Sequence, residues 1–180
     1  IGIGPNGEVY LMWAHYTTGT AEVGIGMAKS TDGGATFSTP TIVFPINGIR
    51  ISNGAISALN GTRAASFPYF DVDRSNGPRR GWIYAVIPEL DVPTSGQADI
   101  YLHRSSDGGT TWDAPIRING PDVQAGKWQF MASIAVDPVG ASSERDRRRP
   151  LPGLPHQPLE RRLPQVPGPA QGEHDHDRPR

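Results

Sequence analysis

Glu89 and Asp91 stand two positions apart in a segment bounded by Pro88 and Pro93, directly after an apolar run. Two carboxylates that converge can divide general-acid and general-base work on a glycosidic bond, whereas the same pair in an open loop is only solvated. Asp71, Asp73 and Ser75 alternate ahead of Asn76-Gly77, as ligands do at the start of a calcium loop. The pattern then departs from that loop, because the glycine falls one place late and position twelve is Trp82 rather than an acid. His174-Asp175-His176-Asp177 has metal-like spacing but belongs to a segment of different character, described below. Cysteine is absent, so thiolate nucleophiles, thiolate metal ligands and disulfides are excluded together. No metal and no other cofactor is expected.

These residues have to be positioned by β structure. Residues 8–14 and 82–87 are aromatic and β-branched runs of strand length, and residues 21–28 and 99–104 alternate in the manner of strands. Pro5-Asn6-Gly7, Asp32-Gly33-Gly34, Ser75-Asn76-Gly77-Pro78 and Asp107-Gly108-Gly109 supply turns between them. No stretch has the apolar spacing of a three-turn amphipathic helix. The fold class is therefore all-β, in keeping with Gly 22 and Pro 18 among 180 residues. Lys and Arg number 17 against 18 Asp and Glu, a net charge of -1. That balance excludes bulk electrostatic binding of nucleic acid or of an anionic membrane surface. No apolar run reaches the roughly 18 residues of a membrane-spanning helix.

The sequence repeats itself. Ser30-Thr31-Asp32-Gly33-Gly34-Ala35-Thr36-Phe37 recurs as Ser105-Ser106-Asp107-Gly108-Gly109-Thr110-Thr111-Trp112. Lys29 or Arg104 precedes each copy, and Pro40 or Pro115 follows three residues after each aromatic. Gly7-Glu8-Val9-Tyr10 parallels Gly81-Trp82-Ile83-Tyr84, and Ile3-Gly4, Val72-Asp73 and Val136-Asp137 mark three unit starts. Two units of roughly 65 to 75 residues and the opening of a third are therefore expected. The motif suits a hairpin tip: the glycines supply positive φ, the aspartate accepts bonds from the turn's own N–H groups, and the aromatic packs into the core beneath.

This pattern resembles the Asp box, or bacterial neuraminidase repeat, of sialidase-like β-propellers, over residues 1–140. The resemblance implies a partial propeller: about two four-stranded antiparallel blades and the start of a third, each Asp box turning between a blade's third and fourth strands. It implies a structural role, away from any active site, for Ser30, Asp32, Gly34, Thr36 and Phe37 and for Ser105, Asp107, Gly109, Thr111 and Trp112. Closed rings hold typically 4 to 8 blades, so the remaining blades of a ring are implied as partners. A glycan or glycoprotein partner and an extracellular or bacterial cell-surface location are implied as well. Two activities stay open: an exo-sialidase-like glycoside hydrolase, of which this chain alone is inactive, and a non-catalytic propeller that binds glycans or proteins.

Sialidase-like enzymes hold the substrate carboxylate with three arginines, whose planar forks match its two oxygens. They add an aspartate acid/base and a Tyr–Glu nucleophile pair. The first arginine of the family sits in an Arg-Ile-Pro motif before the first Asp box. Here Arg50-Ile51-Ser52 follows the first box and lacks the proline. Arg50 is thus the arginine that the resemblance singles out, with Arg63 second, and the alternative for both is a solvated loop. Arg50, Glu89 and Asp91 form the catalytic candidate set. His15-Tyr16 and Trp128-Gln129-Phe130 can line a sugar-stacking face or serve as packing. Tyr10 and Tyr84 are repeat-equivalent and expected in the core. Asn60-Gly61-Thr62 is a glycosylation sequon.

Residues 141–180 differ in kind. They contain no Phe, Trp, Tyr or Ile, a single Val (Val166), eight Arg and eight Pro. Such a segment buries too little apolar surface to offset its chain entropy and reads as a disordered Pro/Arg-rich tail. With CGN arginine codons, a one-base shift permits a strand-like run in the region of Glu144 to Pro150. The same shift permits a near match of Tyr101 to Asp107, one residue shorter, at Leu163 to Gly168. A frameshift product is therefore expected, with a natural linker as the alternative. The His174–Asp177 cluster then has no metal role. The start at Ile1-Gly2-Ile3-Gly4 has neither initiator Met nor signal-peptide pattern, as expected of a piece of a longer chain.

Overall fold

The computed structural model describes residues 1–17, 22–49, 55–56, 62–92, 97–120 and 127–137, with backbone alone at 55–56 and 62–63. Arg50, the Asn60 sequon, residues 141–180 and the Arg63 side chain lie outside the described residues.

The strand-like runs pair with their sequence neighbours. β1 (Gly2–Ile3), β2 (Val9–Tyr16), β3 (Glu22–Ser30) and β4 (Thr41–Pro45) form one four-stranded antiparallel sheet in chain order. A short pair, β5 (Ala55–Ile56) and β6 (Thr62–Arg63), follows. β7 (Tyr69–Val72), β8 (Ile83–Leu90), β9 (Ala98–Ser105) and β10 (Ile116–Arg117) then repeat the four-stranded meander. Among the described residues there is no helix. The all-β reading holds, and the two sequence units correspond to the two sheets.

Alternation decides which faces meet. In the β2–β3 ladder Tyr10 pairs with Lys29, Met12 with Met27 and Ala14 with Ile25, so these side chains share one face. That face packs on the second sheet. One cluster joins Ile25, Phe44 and Ile46 to Ala85 and Ile87, and another joins Tyr10 and Met27 to Val72 and Ile83. The first strands of the units are also neighbours. β1 lies alongside β7, and Val136 at the third unit start donates its N–H to Asp71 Oδ2 at 2.8 Å.

Three expectations need correction. The strand beginning at Trp82 was expected to end at Ile87, with Pro88 to Pro93 as a loop; instead β8 continues to Leu90, Pro88 opposite Ile100 and Glu89 opposite Asp99. The extension holds because the Pro88 carbonyl accepts Ser66 Oγ at 2.7 Å and Glu89 finds a partner across the strand pair. Phe37 was expected in the core but is 42% exposed, while its counterpart Trp112 is half-buried and packs on Phe44. The difference follows from the stacking: the Trp112 side of the second sheet is covered by the first sheet, and no described sheet covers the Phe37 side of the first. Likewise Tyr10 is buried whereas Tyr84, on the opposite face of the second sheet, is half-buried against Trp82.

Candidate functional site

The two repeat motifs close on themselves. Asp32 Oδ1 accepts Thr36 N–H at 2.9 Å and Ser30 Oγ–H at 2.7 Å, and Oδ2 accepts Thr36 Oγ1–H at 2.6 Å. Ser30 Oγ in turn accepts Gly34 N–H at 2.8 Å. Asp107 repeats the arrangement with Ser105, Thr111 and Gly109. Both turns run between the third and fourth strands of their sheets. Hydrogen bonds from the Thr111 hydroxyl, and then its N–H, hold the Asp107 carboxyl down at about 2; the Thr36 hydroxyl and N–H depress Asp32 in the same way. Carboxylates so occupied build a turn and have no proton to exchange near neutral pH.

Asp71, Asp73 and Ser75 are likewise turn and strap residues. Asp73 Oδ1 accepts Ser75 N–H at 2.8 Å, Ser75 Oγ accepts Gly77 N–H at 3.0 Å, and Asp71 binds Val72 N–H and Val136 N–H. The calcium pattern is thereby explained as turn capping. No group of three His, Cys, Asp or Glu side chains converges as metal ligands do, among the described residues.

Chemistry-bearing side chains gather at the other end of the sheets. Register fixes this: Val9–Ser30 and Ile83–Ser105 are the ladder ends at the Asp32 and Asp107 turns, and Tyr16–Glu22 and Leu90–Ala98 are the opposite ends. Glu89 and Asp91 are both there, but each is engaged separately. Glu89, 6% exposed, accepts His103 Nε2 at 2.6 Å and the Asn47 N–H at 3.3 Å. Asp91 faces the Tyr101 hydroxyl at 3.5 Å and Arg117 at 3.8 Å. Arg117 also holds the buried Asp99 at 3.1 Å, and Asn119 Nδ2 donates to Asp99 at 2.6 Å. Burial, with the charges of Asp91 and Asp99 beside it, pushes the Tyr101 hydroxyl up.

His15 is half-buried in register with Gly24, on the face of the first sheet turned away from the second. Trp128 packs with Phe130 and Leu90 against Ile49 and Ala98, which is a core role. Tyr16 donates to Glu22 Oε1 at 2.9 Å, a Tyr–Glu contact in the first unit. Glu22 is 4% exposed and accepts Ser66 N–H with both carboxylate oxygens at 3.0 Å, so it joins the two sheets. Sequence reasoning missed His103, Asp99, Arg117 and the Glu22–Ser66 link. His103 and Asp99 had a signal: alternation along residues 99–104 puts both on the Glu89 face once the two strands are paired.

His103 does more than hold Glu89. Its ring stacks on Phe44 of the first sheet, centroids 4.2 Å apart and planes 9° from parallel, and Trp112 meets Phe44 edge-on at 4.8 Å. A cleft of about 420 Å³ opens beside this group, between β4 and the connection from β9 to β10. No family model, curated protein or solved structure matches the chain.

Proposed function

We propose that this chain supplies two adjacent blades of a sialidase-type β-propeller that acts on or binds glycans at an extracellular or cell-surface location, and that the chain by itself does not hydrolyse them. The observation that carries the reading is the position of both Asp-box turns, each between the third and fourth strands of a four-stranded antiparallel meander. The side-by-side arrangement of β1, β7 and the Asp71–Val136 contact supports a common inner edge, as a ring requires. A closed ring takes typically 4 to 8 such sheets, so further blades are its partners in this reading.

One observation favours the non-catalytic form. Glu89 is held by His103 and Asp91 lies by Arg117, so neither described candidate is poised as a general acid beside the other. Incubating residues 1–180 with a fluorogenic sialoside is expected to give no turnover. Turnover that Arg50→Ala abolishes overturns the inactive reading. Failure to retain any glycan on an array of sialylated and neutral oligosaccharides overturns the glycan reading.

A further inference from the structure

The Glu89–His103 cleft carries an inference that does not depend on ring closure. Its walls are Phe44, Pro45, Trp112 and Pro115, and Glu89 and His103 line it as well. Its volume of about 420 Å³ falls in the range of small-ligand pockets. His103 is 2% exposed and meets the Glu89 carboxylate through Nε2, which leaves Nδ1 as the ring's second hydrogen-bonding atom. Nδ1 has no hydrogen-bond partner among the described residues, although buried polar atoms are ordinarily paired.

Charge narrows what can enter. No lysine or arginine is among the described lining residues, so an anion meets no cationic donor. Of the two carboxylates present, Glu89 is buried against His103 at 2.6 Å, and the exposed Asp113 is balanced by Arg104 at 2.8 Å, so no uncompensated negative charge selects a cation. What remains is aromatic and proline surface with hydrogen-bond acceptors. A neutral ring that is apolar on one face and carries hydroxyl donors fits that chemistry. We propose that this cleft binds a neutral sugar residue, its apolar face against Trp112 and the two prolines and a hydroxyl hydrogen-bonded to His103 Nδ1.

The test titrates the full chain with methyl β-D-galactopyranoside and methyl α-D-glucopyranoside, with N-acetylneuraminic acid and choline as charged probes. Saturation-transfer NMR and tryptophan fluorescence report binding. Saturable binding of a neutral glycoside in the millimolar range is expected, at least about tenfold tighter than either charged probe. Ala114→Trp, at an exposed lining position, fills the cleft without entering the core and is expected to weaken binding at least about tenfold with the melting temperature unchanged. Should that variant lose its fold, Pro45→Ala trims an exposed wall and is expected to weaken binding alone. Absence of saturable glycoside binding overturns the proposal. So does charged-probe binding as tight as the glycoside's, or parent-like binding by the folded variants.

Discussion

Gly34 and Gly109 occupy the same place in the two repeated turns, at φ 96° and 93°, yet their surroundings differ. A Cβ at Gly34 would meet only Val9 at 3.9 Å, whereas one at Gly109 would run into the Met27 thioether of the first sheet. Gly34→Ala is therefore expected to cost about 1–2 kcal/mol, the strain of a left-handed L-residue. Gly109→Ala must also displace the flexible Met27 thioether, so it is expected to cost more than Gly34→Ala, by less than the about 1–3 kcal/mol of a rigid overpacked site. Urea unfolding of the two variants checks the difference, and equal losses mean that the turn does not pack there. The aspartates of the same turns set an acid limit. Their folded pKa values lie below the ordinary aspartate value of about 3.9, Asp107 at about 2. Their contribution is thus present above pH about 4 and is lost as pH falls through the folded values. The stability gap between the parent and an Asp32→Asn, Asp107→Asn variant is expected to be constant from neutral pH to about 4. It should narrow toward pH about 2, as followed by unfolding midpoints at constant salt.

The two sheets are joined by more than apolar packing. Glu22 on β3 accepts the Ser66 N–H, and Ser66 Oγ donates to the Pro88 carbonyl on β8 while accepting the Ile49 N–H. Removing either partner leaves buried backbone groups unsatisfied, at about 1–3 kcal/mol each. Glu22→Ala strips the partner from the Ser66 N–H, and Ser66→Ala strips those of the Ile49 N–H and the Pro88 carbonyl while keeping its own N–H for Glu22, so each is expected to cost about 1–3 kcal/mol or more in urea unfolding. A loss below about 0.5 kcal/mol for either variant means that its bonds do not hold the sheets together. This link shows where the sequence was legible and where it was not. The repeated turns were readable because every partner of Asp32 and Asp107 lies within four residues. Glu22 and Ser66 are 44 residues apart, and no local pattern marks their meeting. Pro88 argued for a loop because proline lacks a ladder donor; its carbonyl, bound by Ser66, is what the pattern could not reveal. Phe37 and Trp112 have the same local sequence logic and different burial, since burial depends on which sheet lies alongside.

At the scale of the whole molecule, the apolar residues that hold residues 1–137 together come from both sheets. Ile25, Phe44 and Ile46 meet Ala85 and Ile87, and Tyr10 and Met27 meet Val72 and Ile83. Neither sheet has a core of its own in those clusters, so the two are expected to melt as one unit. Composition sets residues 141–180 apart from that core. Their eight prolines interrupt both helix and strand ladders. They contain no aromatic side chain to anchor a cluster. Their arginines can form exposed ion pairs with acidic loops, but such pairs contribute only about 0–1 kcal/mol. Ending the chain after Gly140 is therefore expected to leave the melting temperature within about 2 °C of the parent, less than a 1 kcal/mol change produces in a domain of this size. Differential scanning calorimetry of the two chains in the same buffer makes the comparison. A fall of about 4 °C or more means that residues 141–180 contribute to the fold, and the reading of that segment as a coreless tail is then wrong.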